Sequence, residues 1–159
     1  MNPDNIFKWA QIKGVTVIAT GDFTHPLWFA ELREKLEPAQ EGLFALKKEF
    51  QESKINEVPV SCKADVRFFL SAEVSSIYSK NNKVRKIHNL IYAPDFKTAA
   101  KINSELDKIG NLRSDGRPIL DLDAKELLKI VLDSGYDTVV YTCSCLDASF
   151  LYVWIRFRF

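Results

Sequence analysis

The sequence predicts an α/β fold, and three observations carry that prediction. Val15-Thr16-Val17-Ile18-Ala19-Thr20 is an apolar, β-branched run that meets Gly21 and then Pro26, the order of a strand, a turn and a helix start. Two more strand-like runs, Val66–Ser75 and Val84–Ala93, flank Asn81-Asn82, a dipeptide suited to a hairpin turn. Segments with apolar residues at helical spacing alternate with strands mainly at the two ends of the chain.

Each element has a local cause. Asn2 is an N-cap residue, Pro3 suits the first helical position and Asp4 the first turn, which predicts a helix over Pro3–Ile12. Ile6, Trp9, Ala10 and Ile12 form its expected apolar side. The run Val15–Thr20 reads as a strand buried on both faces. Pro26 starts a helix reaching Leu36, and a further helix is expected over Glu41–Glu52, with Leu43, Phe44, Leu46 and Phe50 as its core stripe. After the central strands, Asp95 opens a helix that ends at Gly110 as its C′ residue. Asn111–Pro118 is a polar, turn-rich loop, and a helix Asp123–Asp133 and a strand Asp137–Val140 follow.

Composition narrows the function classes. The 159 residues suit one domain, and 22 Lys and Arg against 21 Asp and Glu leave a formal charge of +1. No global field therefore draws the chain onto nucleic acid. The stretch Lys80–Lys86 is the locally basic one. Lys80, Lys83, Arg85 and Lys86 are candidate phosphate contacts there, beside the simpler reading of a solvated hairpin turn. Three cysteines make no disulfide framework: Cys62 reads as a small buried hydrophobe, and Cys143 and Cys145 lack the second pair of a zinc site. With no signal peptide and no apolar run of membrane-spanning length, the expected compartment is a reducing cytoplasm, with no membrane partner.

The chemistry is expected where strands end. Asp22 and His25 follow the first strand, and a carboxylate and an imidazole at that spacing can converge on one divalent cation. The alternative is that they cap the helix begun by Pro26. Glu73 is an isolated acid on a strand, costly to bury unless paired or metal-bound. His88, the other of the two histidines, lies on the next strand, and one metal ion would satisfy both side chains. A core histidine bonded to backbone is the competing reading for His88.

The stretches IKGVTVIATGDFTHPLWFAELREKLEPAQEGLF, LSAEVSSIYSKNNKVRKIHNLIYAPD and INSELDKIGNLRSDGRPILDLDAKELL resemble the amino-terminal part of endonuclease Q. That family belongs to the polymerase-and-histidinol-phosphatase (PHP) superfamily of metal-dependent phosphoesterases. The resemblance covers residues 1–140 and implies a distorted (β/α) barrel with divalent metals at the carboxyl ends of its strands. Asp22, His25, Glu73 and His88 match the family's metal-binding stretches, although Phe23 and Thr24 separate Asp22 from His25 where many members place the two side by side. The implied cofactors are divalent ions such as zinc, manganese or magnesium. The implied activity is metal-assisted hydrolysis of DNA on the 5′ side of deaminated bases such as uracil or hypoxanthine, and at abasic sites.

Two departures from the family pattern shape the expectations. The superfamily opens with a His-x-His pair on a first strand, whereas this chain opens on a helix start, so an incomplete barrel is expected, without its first and carboxyl-terminal strands. From Tyr141 the resemblance stops. Reading one base later from there, permitted codons can give Ile-Pro-Ala-His-Ala-Trp-Thr-Pro, a string like the family's next strand, so residues 141–159 are expected to be an out-of-frame tail. On this view the chain is a partial metallo-phosphoesterase domain, with an inactive remnant and a small-molecule phosphatase as the alternatives.

Overall fold

The computed structural model describes residues 2–114, 117–135 and 137–143. Five helices and seven strands are arranged as a mixed α/β fold among these residues. Helix α1 runs Pro3–Ile12, with Asn2 Oδ1 accepting from Asn5 N at 3.0 Å, so the expected cap forms. Its buried face is Phe7, Ala10 and Gln11, and Trp9 is turned outward, 50% exposed. Gln11 belongs there because its Oε1 accepts from Ala64 N, a polar tie that the apolar pattern does not encode.

Strand β1 (Val17–Ala19) is shorter than expected and is not buried on both faces: Val17 is 50% exposed. It pairs with one neighbour, in parallel, so one side of it stays open among the described residues. Helix α2 follows at Pro26–Lys35. Lys35 of α2 reaches Asp4 of α1 and Glu31. Burial works against its charge, but hydrogen bonds to Glu31 and Asp4 outweigh that and raise its pKa.

The helix expected over Glu41–Glu52 forms only in its second half, as the short helix α3 (Lys48–Ile55). Before it stand β2 (Leu36–Gln40) and β3 (Leu43–Leu46), an antiparallel hairpin. Gly42 takes φ +69°, the left-handed backbone that a tight turn requires and glycine adopts at low cost. Phe44 and Leu46 are both buried while Leu43 and Ala45 are less so, a period of two and not of 3.6. Cys62 also departs from expectation: it lies partly exposed in a one-turn 3₁₀ helix, Val60–Cys62, and is not a core side chain.

The spine of the fold is β4 (Arg67–Lys80), joined to β5 (Lys83–Ala93) by Asn81 and Asn82 at φ +54° and +57°, a two-residue turn of the expected kind. The antiparallel register runs from Leu70 opposite Ala93 to Lys80 opposite Lys83. Helix α4 (Phe96–Leu106) is capped by Asp95 but ends before Gly110. Strand β6 (Ile119–Leu120) was not expected; α5 (Ala124–Ser134), capped by Asp123, and β7 (Val139–Cys143) were, give or take a few residues. Of the expected out-of-frame tail, residues 141–159, Tyr141 to Cys143 complete β7 and residues 144–159 lie outside the described residues.

The sheet follows the order β2-β3-β4-β5-β7, with β1 and β6 added to β4. Its main path is antiparallel and only β1 and β6 run parallel to β4, so the described residues do not form the predominantly parallel sheet of a regular (β/α) barrel. Among the described residues the path does not close into a ring. Phe68, Leu70, Ala72 and Val74 of β4 share one core with Ile91, Ala99, Ile102, Leu106, Leu127 and Val131. Each of the larger side chains contributes about 1.5–3 kcal/mol by leaving water.

Candidate functional site

Alternation along β4 decides which side chains reach the core and which reach the opposite face. Leu70, Ala72, Val74 and Ser76 point into the core, so Ser71, Glu73 and Ser75 share the other face. On β5, Asn89 and Ile91 are the buried alternates, which places His88 on the face of Glu73. Glu73 lies opposite Leu90 and His88 opposite Ser75, so the two are diagonal neighbours. Their side chains meet: Glu73 Oε1 and His88 Nδ1 are 3.0 Å apart, each side chain 32% exposed.

Both parallel neighbours of β4 lie along one edge. The polar groups they use on β4 are Arg67 N, Phe69 O, Ser71 O and Ser75 N, alternate residues that point the same way. Strand β1 covers Arg67–Phe69 and β6 begins at Ser75, which leaves Glu73 in an interval between the two pairings. The loop after β1 closes the near side of that interval: Gly21 N donates to Ser71 Oγ and Phe23 N to Ser71 O. Residues Arg117 and Pro118 lead into β6 on the far side, with Pro118 O accepting from Ser75 N at 2.9 Å.

Arg117 Nη1 donates to Glu73 Oε1 and stands 2.6 Å from His88 Nδ1. Glu73 is therefore neither isolated nor unpaired, and the strand-borne acid is offset by a histidine and an arginine. A guanidinium has only donors, so His88 Nδ1 either accepts from Arg117 or donates to Glu73, and cannot do both. His88 is not the backbone-bonded core histidine of the competing reading.

Asp22 and His25 occupy the loop at the carboxyl end of β1, as expected. Gly21 and Asp22 turn the chain with φ of +68° and +40°, and Phe23 and Thr24 are buried beneath. Trp28 Nε1 donates to Gly21 O at 2.8 Å and Asn103 Nδ2 to Phe23 O at 2.9 Å, which fixes the loop from two helices. His25 is the N-cap residue of α2 by position, but no side chain caps that helix. The structure thus unites Glu73 with His88 and places Asp22 and His25 on a separate anchored loop. Among the described residues no group of three or more His, Cys, Asp or Glu is arranged to hold a metal ion.

The Glu73–His88 pair by itself fits part of such a site. Octahedral ligands about 2.1 Å from a divalent ion stand about 3.0 Å from one another, and these two donor atoms are 3.0 Å apart. Both also face one positive centre, the Arg117 guanidinium.

The basic residues stand at the free end of the same hairpin. Lys80, Lys83, Arg85 and Lys86 are all exposed, and Lys86 lies on the face of His88. Lys80 Nζ pairs with Asp123 Oδ2 at 2.7 Å, and this contact raises the pKa of Lys80. It likewise lowers that of Asp123, helped by the Lys125 backbone N–H. Among the described residues, Lys83, Arg85 and Lys86 form no ion pair.

Arg117 is the residue that sequence reasoning missed, because a cation in a polar loop carries no periodic signal. Among the described residues no helix is long and apolar enough to cross a membrane.

No protein-family model matches the chain. A curated relative, an uncharacterised protein of Methanocaldococcus jannaschii, is 26% identical over 136 residues, which span 85% of this chain and 13% of the relative. Among solved structures, the lesion-specific endonuclease PfuEndoQ of Pyrococcus furiosus superposes with a TM-score of 0.66 at 22% identity. The match covers 89% of this chain and 29% of that protein. An endonuclease Q complex with a 27-mer duplex substrate, bearing an abasic lesion at the active site, gives a TM-score of 0.64 at 23% identity over 88% of this chain. The chain thus has the fold of a segment of endonuclease Q and spans less than a third of that protein's length.

Proposed function

We propose that this chain is a domain of a DNA-repair nuclease of the endonuclease Q kind, in which Glu73 and His88 hold a divalent metal ion. The observation that carries this reading is the meeting of Glu73 Oε1 and His88 Nδ1, 3.0 Å apart, where the parallel edge of β4 is interrupted. Both residues lie within β4 and β5, where the loop after β1 and the segment leading into β6 leave that edge open. Asp22 and His25, on the loop that borders this interval, are not gathered with the pair, so the proposed ligands are Glu73 and His88.

When bound, zinc, manganese or magnesium would supply Lewis acidity toward a phosphodiester oxygen. The chain's own residues position the substrate around it. Ser71, bonded by Gly21 N and Phe23 N, holds the loop after β1 against β4. Lys83, Arg85 and Lys86 at the hairpin end are the proposed contacts for DNA phosphates. The substrates are DNA with a deaminated base, such as uracil or hypoxanthine, or with an abasic site. The fold likeness to an endonuclease Q solved with an abasic duplex supports the abasic substrate.

The test is binding of a fluorescent duplex with one abasic site, measured by anisotropy with and without Mn²⁺. The expected result is Mn²⁺-dependent binding that Glu73→Gln and His88→Ala each weaken. Binding indifferent to Mn²⁺ and to both substitutions would overturn the reading.

A further inference from the structure

We propose that Arg117 is the resident cation of the Glu73–His88 pair, and that a divalent metal ion and Arg117 occupy this pair one at a time. The inference rests on the reading of the pair as metal-binding and adds the device that holds it when metal is absent.

The geometry of three atoms carries it. Arg117 Nη1 reaches Glu73 Oε1 and lies 2.6 Å from His88 Nδ1, while those two acceptors are 3.0 Å from each other. Two lone-pair donors directed at one positive centre are part of the ligand set a metal ion takes, and the guanidinium nitrogen stands in that place. A metal and Nη1 cannot share it, because both are cations and both need the same lone pairs.

The arrangement keeps the ligands ready. With Arg117 donating, His88 Nδ1 accepts at the cation position. Glu73 stays charge-neutralised on its strand, which lowers the cost of holding a carboxylate half out of water. Arg117 can also leave. Its side chain is 44% exposed and stands on a loop, while the backbone beside it is pinned by the Ser75 N to Pro118 O bond. Release therefore needs a rotamer change and no rearrangement of the sheet.

The test is calorimetric titration of the full 159-residue chain with Co²⁺ alone. Wild type is compared with Arg117→Ala, Arg117→Gln and Glu73→Gln, each checked for fold by circular dichroism. Arg117→Gln keeps a polar side chain and removes the charge, so it stands in if the alanine variant does not fold. Removing the competing cation is expected to tighten Co²⁺ binding about tenfold, while Glu73→Gln abolishes it. Equal or weaker binding after Arg117 is replaced, with loss in Glu73→Gln, would overturn Arg117 as the occupant and leave the metal reading standing. No Co²⁺ binding by any of the four proteins would overturn both.

Discussion

Ser76 and Asn89 join β4 to β5 inside the core, with Asn89 Nδ2 donating to Ser76 Oγ at 2.9 Å and both residues fully buried. The bond lies on the face opposite Glu73 and His88, directly beneath the candidate site. It fixes the register in which those two become diagonal neighbours. A slip of β5 by one residue along β4 would turn His88 into the core and expose Asn89 and Ile91.

Asn89→Ala is therefore expected to cost about 1–3 kcal/mol, the penalty for leaving a buried hydroxyl without its partner. Urea denaturation of the variant checks this. A loss below about 0.5 kcal/mol, the range of ordinary surface changes, would show that the bond does not hold the hairpin in register.

Gly42→Ala distinguishes the hairpin over residues 36–46 from the helix expected over Glu41–Glu52. At φ +69° the added Cβ is expected to destabilise the chain by about 1 kcal/mol or more. In a helix the same change would stabilise by about 0.5–1 kcal/mol. The sign of the shift in the unfolding midpoint is decisive.

Asp123 links stability to acid pH. Lys80, and then the Lys125 N–H, hold its carboxyl below the usual range. A group lowered on folding stabilises fully above its unfolded pKa, about 3.9. That stabilisation fades as pH falls through the lowered value. Asp123→Ala should cost about 1 kcal/mol near neutral pH, mainly through loss of the α5 cap. The difference from wild type should shrink by about pH 2. A gap unchanged across that range would count against the linkage.

The hairpin end should show its role in the salt dependence of duplex binding. Lys83→Ala and Arg85→Ala are each expected to lower the log–log salt slope by about one if they meet phosphates. Lys80→Ala should change it less, because Asp123 already holds that ammonium. Equal slopes for all three variants would place the DNA elsewhere.

Local signals were legible in the sequence. The Asn2 cap, the Asn81-Asn82 turn and the helix opened by Asp95 each depend on residues a few positions apart, and each forms. Leu43, Phe44 and Leu46 misled because three apolar residues in four fit a helical stripe as well as a strand. The left-handed backbone at Gly42 settled the matter. The exposure of Val17 was hidden for a different reason: an apolar run does not show how many neighbours its strand will have. At the candidate site, Glu73 and His88 were legible as an unusual acid and a histidine on adjoining strands. Arg117 was not, since its meeting with Glu73 spans 44 positions and depends on β6 pairing with β4.

The long strand β4 also sets an order of assembly. Its ladder with β5 closes around a two-residue turn and can zip from that turn outward, at little loop-closure entropy. Its pairing with β1 must gather residues 50 positions apart, as Val17 does with Arg67. Substitutions along the β4–β5 ladder should therefore slow folding, and those in β1 should mainly speed unfolding. The loop bearing Asp22 and His25 would then be among the last parts of the chain to settle. It would dock on a hairpin that has already brought Glu73 to His88.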